Sequence, residues 1–436
     1  MREGKRGISL LLIFLLVVPF FQGCKKTLEE ESAIAIQENT SSGTTTDACV
    51  LRVVTMMGEE DPNAVHYNQV LEEFTKSHPN VTITDSSVSS DNDWKVQMEA
   101  DFVMDNEPDV IQYFTDASAT NILKTNKFVT LEEMQKEDPR IGANASFIAL
   151  EQTKSPLDKV NYAVPTTGYW EGLFCNKDIF ERYDVEFPST WNKLLKAIKV
   201  FKKHGVVPIA AALNDIPNYW IESLLLNAST KEEYLSVPEE APASWIKGLS
   251  KIKELYEVGA FSEDAAIIDN EMAGKMFQNK QAAMQLEGSW YLNGIKDQSN
   301  TIVCEFPQWE GAKMEKGSAI QGFSSGFYIT KRAWGDPIKQ KAALDFVYAN
   351  TCDEQVIKYW GGSGICSVPV PEKGRFTKLQ KSGMVYATGI TNPVSPIDSR
   401  IAPEAFNELK NQIVPIALGQ ISAKDGINKM LKINNR

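Results

Sequence analysis

Segments with strand-like and helix-like patterns alternate along the chain after Val50, and this alternation constrains the fold more than any other feature. The first pair is a β-rich run at 51–57 and a helical stripe that contains Tyr67, Val70 and Phe74. The clearest helix follows Pro188-Ser189-Thr190, whose residues favour a helix start. Strands that alternate with helices form parallel sheets covered on both faces. We therefore predict an α/β fold.

The first 49 residues have the pattern of an export signal followed by a tether. A cationic start precedes an uncharged apolar run at 8–21, which predicts a signal peptide at residues 1–23. Phe21-Gln22-Gly23-Cys24 resembles a bacterial lipobox, which implies acylation of Cys24, for example by palmitate; an ordinary secreted protein is the alternative. Residues 24–49 are polar and repetitive, and we expect them to be a flexible tether.

The chain length indicates how many domains to expect, and the net charge indicates which classes of partner to exclude. A chain of 436 residues exceeds what one compact core supports. We predict that residues 50–155 and 320–352 form one lobe, and that residues 156–319 and 353–436 form a second. The formal net charge of −12 argues against nucleic acid as a partner. We expect a monomer.

The cysteines beyond Cys24 do not form a recognisable framework. Their spacing contains no C-x-x-C pair, which argues against a zinc site and against a disulfide-built scaffold. Cys352 and Cys366 are the only close pair in the folded region. They either form a disulfide in an oxidising compartment or remain two buried thiols, and the sequence leaves both alternatives open.

The common catalytic motifs are absent from this sequence. It contains no G-x-S-x-G, no H-E-x-x-H and no G-x-G-x-x-G after a strand. Its three histidines, His66, His78 and His204, lie near helix ends or before a proline, where they have structural explanations. We predict no catalytic residue, no metal and no cofactor.

Polar and aromatic residues recur together at the carboxyl ends of predicted strands, where open α/β sheets bind ligands. The candidates that follow successive strands are Glu59 and Glu60, Tyr113 and Asp116, Trp170 with Tyr169 and Glu171, Tyr219 and Trp220, and Glu287 and Trp290. Aromatic faces stack on sugar rings, and carboxylates accept hydrogen bonds from neighbouring hydroxyls. This mixture favours a neutral polyol or saccharide.

Several sequence stretches resemble one family. They are Tyr162-Ala-Val-Pro-Thr-Thr-Gly-Tyr-Trp-Glu-Gly-Leu-Phe-Cys-Asn-Lys-Asp-Ile-Phe, Phe187-Pro-Ser-Thr-Trp, Pro108-Asp-Val-Ile-Gln, Phe277-Gln-Asn-Lys-Gln-Ala-Ala-Met with Glu287-Gly-Ser-Trp, and Gly322-Phe-Ser-Ser-Gly-Phe-Tyr-Ile-Thr-Lys. Together they resemble the family 1 extracellular solute-binding proteins, the sugar-binding lipoproteins of ABC importers. The sequence departs from the family at Cys175, where tyrosine is usual, and at Phe323, where a second glycine is common.

The resemblance implies a two-lobed fold of the type II periplasmic-binding-protein kind, with the ligand in a cleft that closes and is presented to permease subunits in the membrane. By motif position, Asp116 corresponds to the carboxylate that binds sugar hydroxyls, and Trp290 to the stacking aromatic. Asp398 and Arg400, in Ser-Pro-Ile-Asp-Ser-Arg, are further candidates, with a surface ion pair as the alternative. The implied location is extracytoplasmic, with the chain held to the bacterial membrane by its lipid.

Two other classes of function remain open at this point. A surface glycosidase would use paired carboxylates as acid and as nucleophile or base, and the sequence does not fix such a pair. A structural or signalling lipoprotein would bind no solute.

Overall fold

The computed structural model of the chain describes residues 48–58, 61–88, 90, 92–360, 365–370 and 376–435. The predicted signal peptide, Cys24, and Glu59 and Glu60 therefore lie outside the described residues, as does the predicted tether up to residue 47. No helix among the described residues is long and apolar enough to cross a membrane.

The described residues contain these strands: β1 Cys49–Val54, β2 Val81–Asp85, β3 Val110–Phe114, β4 Ala163–Pro165, β5 Tyr169–Asn176, β6 Val207–Ala210, β7 Ala282–Gly288, β8 Thr301–Cys304, β9 Ser318–Gly322, β10 Ser325–Ile329 and β11 Asn392–Val394.

The helices over the same residues are α1 Ala64–Ser77, α2 Asn92–Val103, α3 Thr120–Leu123, α4 Leu131–Glu137, α5 Phe147–Gln152, α6 Lys177–Arg182, α7 Trp191–Lys203, α8 Asn218–Ala228, α9 Lys231–Leu235, α10 Ala243–Leu249, α11 Lys251–Glu257, α12 Asn270–Gln278, α13 Tyr291–Gly294, α14 Lys331–Trp334, α15 Pro337–Thr351, α16 Asp353–Trp360, α17 Lys378–Gly389, α18 Pro403–Ala417 and α19 Ala423–Asn434. Two short 3-10 helices span Ala117–Ala119 and Ile397–Ser399.

The strands form two sheets, and each sheet is the centre of one lobe. The first sheet has the order β2-β1-β3-β10-β4, and the second has the order β11-β9-β5-β7-β6, with β8 paired to β5. Apolar clusters cover both faces of each sheet. The predicted α/β fold with two lobes is confirmed.

The sheets are mixed rather than wholly parallel. In the first sheet β1 pairs in parallel with β2 and β3, but β10 runs antiparallel to β3 and β4. In the second sheet β5 runs antiparallel to β7, β8 and β9. One strand in each sheet runs opposite to its neighbours: β10 in the first sheet and β5 in the second. Each of these strands follows a crossing between the sheets, because a chain that returns from the other lobe enters its sheet from the opposite end.

The points at which the chain crosses between the sheets differ from the predicted boundaries. Residues 163–165 form β4 of the first sheet, although we expected them in the second lobe, and residues 320–322 belong to β9 of the second sheet. Helix α16, also expected in the second lobe, packs against α1 and α15. The apolar pattern of a strand does not reveal the sheet that it joins, so sequence periodicity could not place these crossings.

Helix α7 forms as its sequence predicts. The side chain of Thr190 caps it by accepting a hydrogen bond from the backbone N–H of Lys193 at 3.3 Å. Its apolar stripe, which includes Trp191 and Phe201, is buried in the second lobe. Gly205 follows with φ of +71°, the left-handed conformation that glycine adopts most readily. Further along the chain, α10 and α11 are separated at Ser250.

The five cysteines among the described residues are free thiols. The disulfide that the sequence left open between Cys352 and Cys366 is therefore not formed in this structure. Cys352 follows the last turn of α15, and Cys366 forms an isolated β-bridge with Thr167.

Candidate ligand-binding site

Three aromatic side chains from different elements of the second lobe form an aromatic cluster: Tyr169, Tyr219 and Trp290. Tyr169 begins β5, Tyr219 lies in the first turn of α8, and Trp290 follows β7. The ring centroids of Tyr219 and Trp290 are 5.9 Å apart, and those of Tyr169 and Trp290 are 6.4 Å apart. All three side chains are half-buried, so the cluster presents aromatic surface while its members support one another.

Glu287 holds the indole of this cluster in place. Its Oε1 accepts a hydrogen bond from Trp290 Nε1 at 3.0 Å and another from the backbone N–H of Gly288 at 2.9 Å. A Cβ on Gly288 would overlap the indole ring, so this glycine lets the ring lie over the backbone. Only 1% of Glu287 is exposed, and this burial raises the pKa of its carboxyl above the ordinary value.

A pair of buried carboxyl groups lies beside the cluster. Glu171 of β5 is 7% exposed and Glu222 of α8 is 2% exposed, and the charge of Glu171 disfavours ionisation of Glu222. Burial raises the pKa of Glu171 to about 8, and it raises the pKa of Glu222 well above its ordinary value. Burial and the neighbouring Glu171 carboxyl group both favour the protonated form of Glu222.

Charged side chains from both lobes meet near the two 3-10 helices, which contact each other across the lobes. Asp116 accepts a hydrogen bond from the backbone N–H of Ser118 at 2.9 Å and caps the first of these helices. Asp398 lies in the second, and burial followed by the Asp116 charge raises its pKa to about 6. Burial and the charge of Lys95 lower the pKa of Lys410 to about 8. The two lobes thus face each other through charges of both signs.

A polar latch joins the lobes at another point. The side-chain amide of Asn293, in α13 of the second lobe, donates hydrogen bonds to Asn63 Oδ1 at 2.8 Å and to the backbone carbonyl of Tyr359 at 2.7 Å. Asn63 precedes α1, and Tyr359 lies in α16, both in the first lobe. These two contacts define what we call the Asn293 latch.

Three aromatic residues that the sequence suggested as ligand contacts belong to the core instead. Trp170 is fully buried against Phe174 and Tyr386, because alternation along β5 turns it to the face opposite Tyr169 and Glu171. Tyr113 packs on Trp94 in the first lobe. The third, Trp220, packs in the core of the second lobe. None of the three belongs to the aromatic cluster.

The alternative of a surface ion pair between Asp398 and Arg400 is wrong. The Arg400 guanidinium donates hydrogen bonds to the backbone carbonyls of Ser395, Pro396 and Tyr234, at 3.0 to 3.1 Å. Arg400 therefore fixes the turn that carries Asp398. Both side chains are half-buried rather than exposed.

Sequence reasoning missed Glu222, Lys95 and Lys410. Glu222 had a usable signal, since it is a lone carboxylate within the apolar stretch Trp220-Ile-Glu-Ser-Leu-Leu-Leu, and a charged residue is seldom buried without a specific reason. The two lysines have no such signal, because lysine is common on helices and only the folding of the chain places Lys95 and Lys410 near Asp116 and Asp398.

A cavity of about 30 Å³ lies beside Glu171, lined also by Ser223, Asn227 and Tyr386. This volume has room for about one water molecule and not for a sugar. Within the described residues, no group of three or more histidine, cysteine, aspartate or glutamate side chains is arranged to hold a metal ion. The aromatic cluster offers an organic ligand ring faces for stacking, with the Glu287 carboxyl group behind them.

Solved structures with the same fold include several binding proteins. A chitin oligosaccharide binding protein superimposes with a TM-score of 0.78 at 18% identity, covering 88% of this chain and 98% of that one. The substrate-binding protein RafE in complex with raffinose gives 0.69 at 17% identity, with 89% and 99% covered. An ABC substrate-binding protein from Listeria monocytogenes in complex with cycloalternan gives 0.69 at 15% identity, with 89% and 98% covered.

A relative in sequence is the multiple sugar-binding protein of Streptococcus mutans, 26% identical over 233 residues. The match covers 50% of this chain and spans about half, 53%, of that relative. The family model of the bacterial extracellular solute-binding proteins matches residues 63–346, well over half of the chain. The protein therefore belongs to the bacterial extracellular solute-binding proteins.

Proposed function

We propose that this protein is the extracytoplasmic substrate-binding lipoprotein of an ABC importer, which captures a small carbohydrate between its two lobes and delivers it to permease subunits in the membrane. The ligand is a mono- or oligosaccharide, and the protein acts as a monomeric receptor rather than an enzyme. Closure of the lobes follows because a ligand that contacts both lobes stabilises the closed state.

The observation that carries this proposal is the aromatic cluster with Glu287 behind it. Aromatic faces in a half-buried setting suit the apolar faces of sugar rings. The edge of the Trp290 indole is already hydrogen-bonded to Glu287, so the ring is held in one orientation before the ligand arrives. A ring that is held in advance loses less conformational entropy on binding.

The family and its relatives support a carbohydrate over other small solutes. The relative from Streptococcus mutans is named for binding multiple sugars, and two of the matched structures contain raffinose and cycloalternan. Asp116 supports the same proposal, because its half-buried carboxyl lies on the first-lobe side where the lobes meet. We propose that it accepts hydrogen bonds from sugar hydroxyls.

The binding experiment is isothermal titration calorimetry with a panel of mono- and oligosaccharides, preceded by native mass spectrometry of protein from its own host to find a retained ligand. We expect one saccharide per chain and saturable binding. A panel without any binder, together with an unliganded native protein, would contradict the proposal and favour a lipoprotein that binds no solute.

The glycosidase alternative requires two carboxyl groups separated by about 5 to 9.5 Å. Glu171 and Glu222 do not fit, because they are 7% and 2% exposed and the cavity beside Glu171 has room for about one water molecule rather than a saccharide. Incubation with the same saccharides and an assay for reducing ends tests the alternative directly. Release of reducing ends that depends on the protein would overturn the receptor proposal.

We also propose that the lipid on Cys24 holds the protein beside its permease. A tether of about 25 residues has a root-mean-square reach of about 25 to 30 Å by random-coil scaling, which suffices for contact with a protein in the same membrane. Mass spectrometry of the N-terminal peptide from the membrane fraction should find acylated Cys24. An unmodified Cys24 would remove the anchor and leave the sugar-binding proposal unaffected.

A further inference from the structure

The structure brings together two cysteines that lie 129 positions apart in the sequence. Cys175 lies in β5 and Cys304 ends β8, and the two strands are antiparallel neighbours. In this register Cys175 pairs with Ile302 and Leu173 pairs with Cys304, so the two cysteines are diagonal neighbours on the same face of the sheet. Their sulfur atoms are 3.9 Å apart.

The two thiols differ in environment. Cys175 is fully buried, and its burial raises the pKa of its thiol. Cys304 is half-buried, and a hydrogen bond from the Cys175 thiol lowers the pKa of Cys304. The more accessible sulfur is therefore also the one more readily ionised, and the thiolate is the form that attacks a disulfide.

Strand β8 can supply the movement that bond formation requires. A disulfide needs an S–S distance of about 2.05 Å, so the sulfur atoms must approach by roughly a further 2 Å. β8 has four residues, and among the described strands it pairs only with β5, at the edge of the second sheet. A short edge strand shifts at lower cost than a strand that is paired on both sides.

We propose that Cys175 and Cys304 form a redox-active dithiol that closes to a strand-to-strand disulfide. The oxidant is another disulfide, either a small-molecule disulfide or an oxidised thiol–disulfide oxidoreductase. The Cys304 thiolate attacks it and forms a mixed disulfide, releasing one thiol. Cys175, after losing its proton, then attacks the Cys304 sulfur and releases the second thiol. Two protein thiols are oxidised to one disulfide while the oxidant is reduced to two thiols.

The disulfide would fasten β8 to the strand that also carries Tyr169 and Glu171. It closes a long loop, which reduces the conformational freedom of the unfolded chain and so stabilises the folded second lobe. The extracytoplasmic location proposed above provides an oxidising compartment. The chemistry itself depends only on the two thiols, so its test is independent of sugar binding.

The test uses the full mature chain, incubated either with oxidised glutathione or with a phosphine reductant. Free thiols are then blocked with N-ethylmaleimide, and the protein is digested without reduction and mapped by mass spectrometry. We expect a linked peptide pair containing Cys175 and Cys304 after oxidation only. The proposal would be overturned if all five cysteines beyond Cys24 were alkylated after oxidation. It would also be overturned if the only linked peptides contained Cys352 and Cys366.

Matched variants make the result specific. Cys304→Ser should abolish the linked pair, and Cys175→Ala provides a second variant if serine at one position prevents folding. Cys352→Ser is the control and should retain the linked pair. Oxidation should raise the melting temperature of the wild type and of Cys352→Ser but not that of Cys304→Ser. An equal shift of the melting temperature in all three proteins would show that a Cys175–Cys304 disulfide does not stabilise the second lobe.

Discussion

The indole Nε1 of Trp290 donates a hydrogen bond to Glu287 Oε1 at 3.0 Å. Glu287 is the sixth residue of β7, and Trp290 follows the end of that strand, so one short segment supplies both the ring and the group that orients it. Because Glu287 accepts the hydrogen bond from the indole N–H, the indole needs no polar partner from a ligand. Its aromatic face is then the part that a ligand can contact. The predictions below begin with this pair.

Replacement of Trp290 by alanine should weaken saccharide binding by about 1 to 3 kcal/mol, because truncation of an anchor aromatic removes its stacking surface. Calorimetry measures the change. Trp334→Ala is the matched control, since this half-buried tryptophan lies in the first lobe, away from the aromatic cluster, and its loss should leave affinity unchanged. Equal affinity for Trp290→Ala and the wild type would assign Trp290 a purely structural role.

Glu287→Ala should weaken binding less than Trp290→Ala, because it frees the indole without removing it. We expect a loss of about 1 kcal/mol, the typical net contribution of one hydrogen bond. Glu287→Gln keeps a side-chain oxygen that can accept the indole N–H and should retain most of the affinity. If Glu287→Gln and Glu287→Ala lose affinity equally, the carboxyl charge itself matters rather than the orientation of the ring.

The Glu171–Glu222 pair should make the folded protein less stable as pH rises. The pKa of Glu171 is raised to about 8 by burial, so the folded state keeps its proton where the unfolded chain has already lost it. Its contribution to stability is therefore complete below the unfolded pKa of about 4.5 and is lost progressively up to about pH 8. Denaturant unfolding at several pH values measures this slope.

The double variant Glu171→Gln/Glu222→Gln removes this titration and should lose less stability than the wild type between pH 5 and pH 8. Glu181→Gln, at an exposed position in α6, is the control and should keep the wild-type slope. The same slope in the double variant and the wild type would show that the pair does not carry a buried proton.

The Asn293 latch should favour the closed arrangement of the lobes. Asn293→Ala removes two hydrogen bonds between the lobes, each worth about 1 kcal/mol, and should shift the population toward open forms. Small-angle X-ray scattering without ligand should then give a larger radius of gyration. Gln298→Ala is the control, because Gln298 bonds only the backbone of Leu292 within the second lobe. An unchanged radius for Asn293→Ala would mean that other contacts hold the lobes.

Much of the fold follows from local pattern, and the site follows only in part. The spacing of apolar residues and the residues at the helix ends predicted α7, because Thr190, the apolar stripe and Gly205 all lie within one segment. The same reasoning placed Trp170 in the site, since proximity in sequence to Tyr169 does not reveal which side of a strand is buried. Glu222 and Lys410 reach the site from helices far apart in sequence, and only tertiary packing brings them there.

The crossings between the sheets determine how this molecule can deform. β4 continues into β5 through residues 166–168, and β9 continues into β10 through residues 323–324; strand pairs flank both connections. Adjacent connections of two and three residues resist shear and twist, and they yield most easily to bending about one axis. The chain also crosses from the first lobe to the second between α16 and α17, so bending about the two short connections moves this third crossing as well. The stiffness of these few residues therefore contributes to the cost of separating the two lobes.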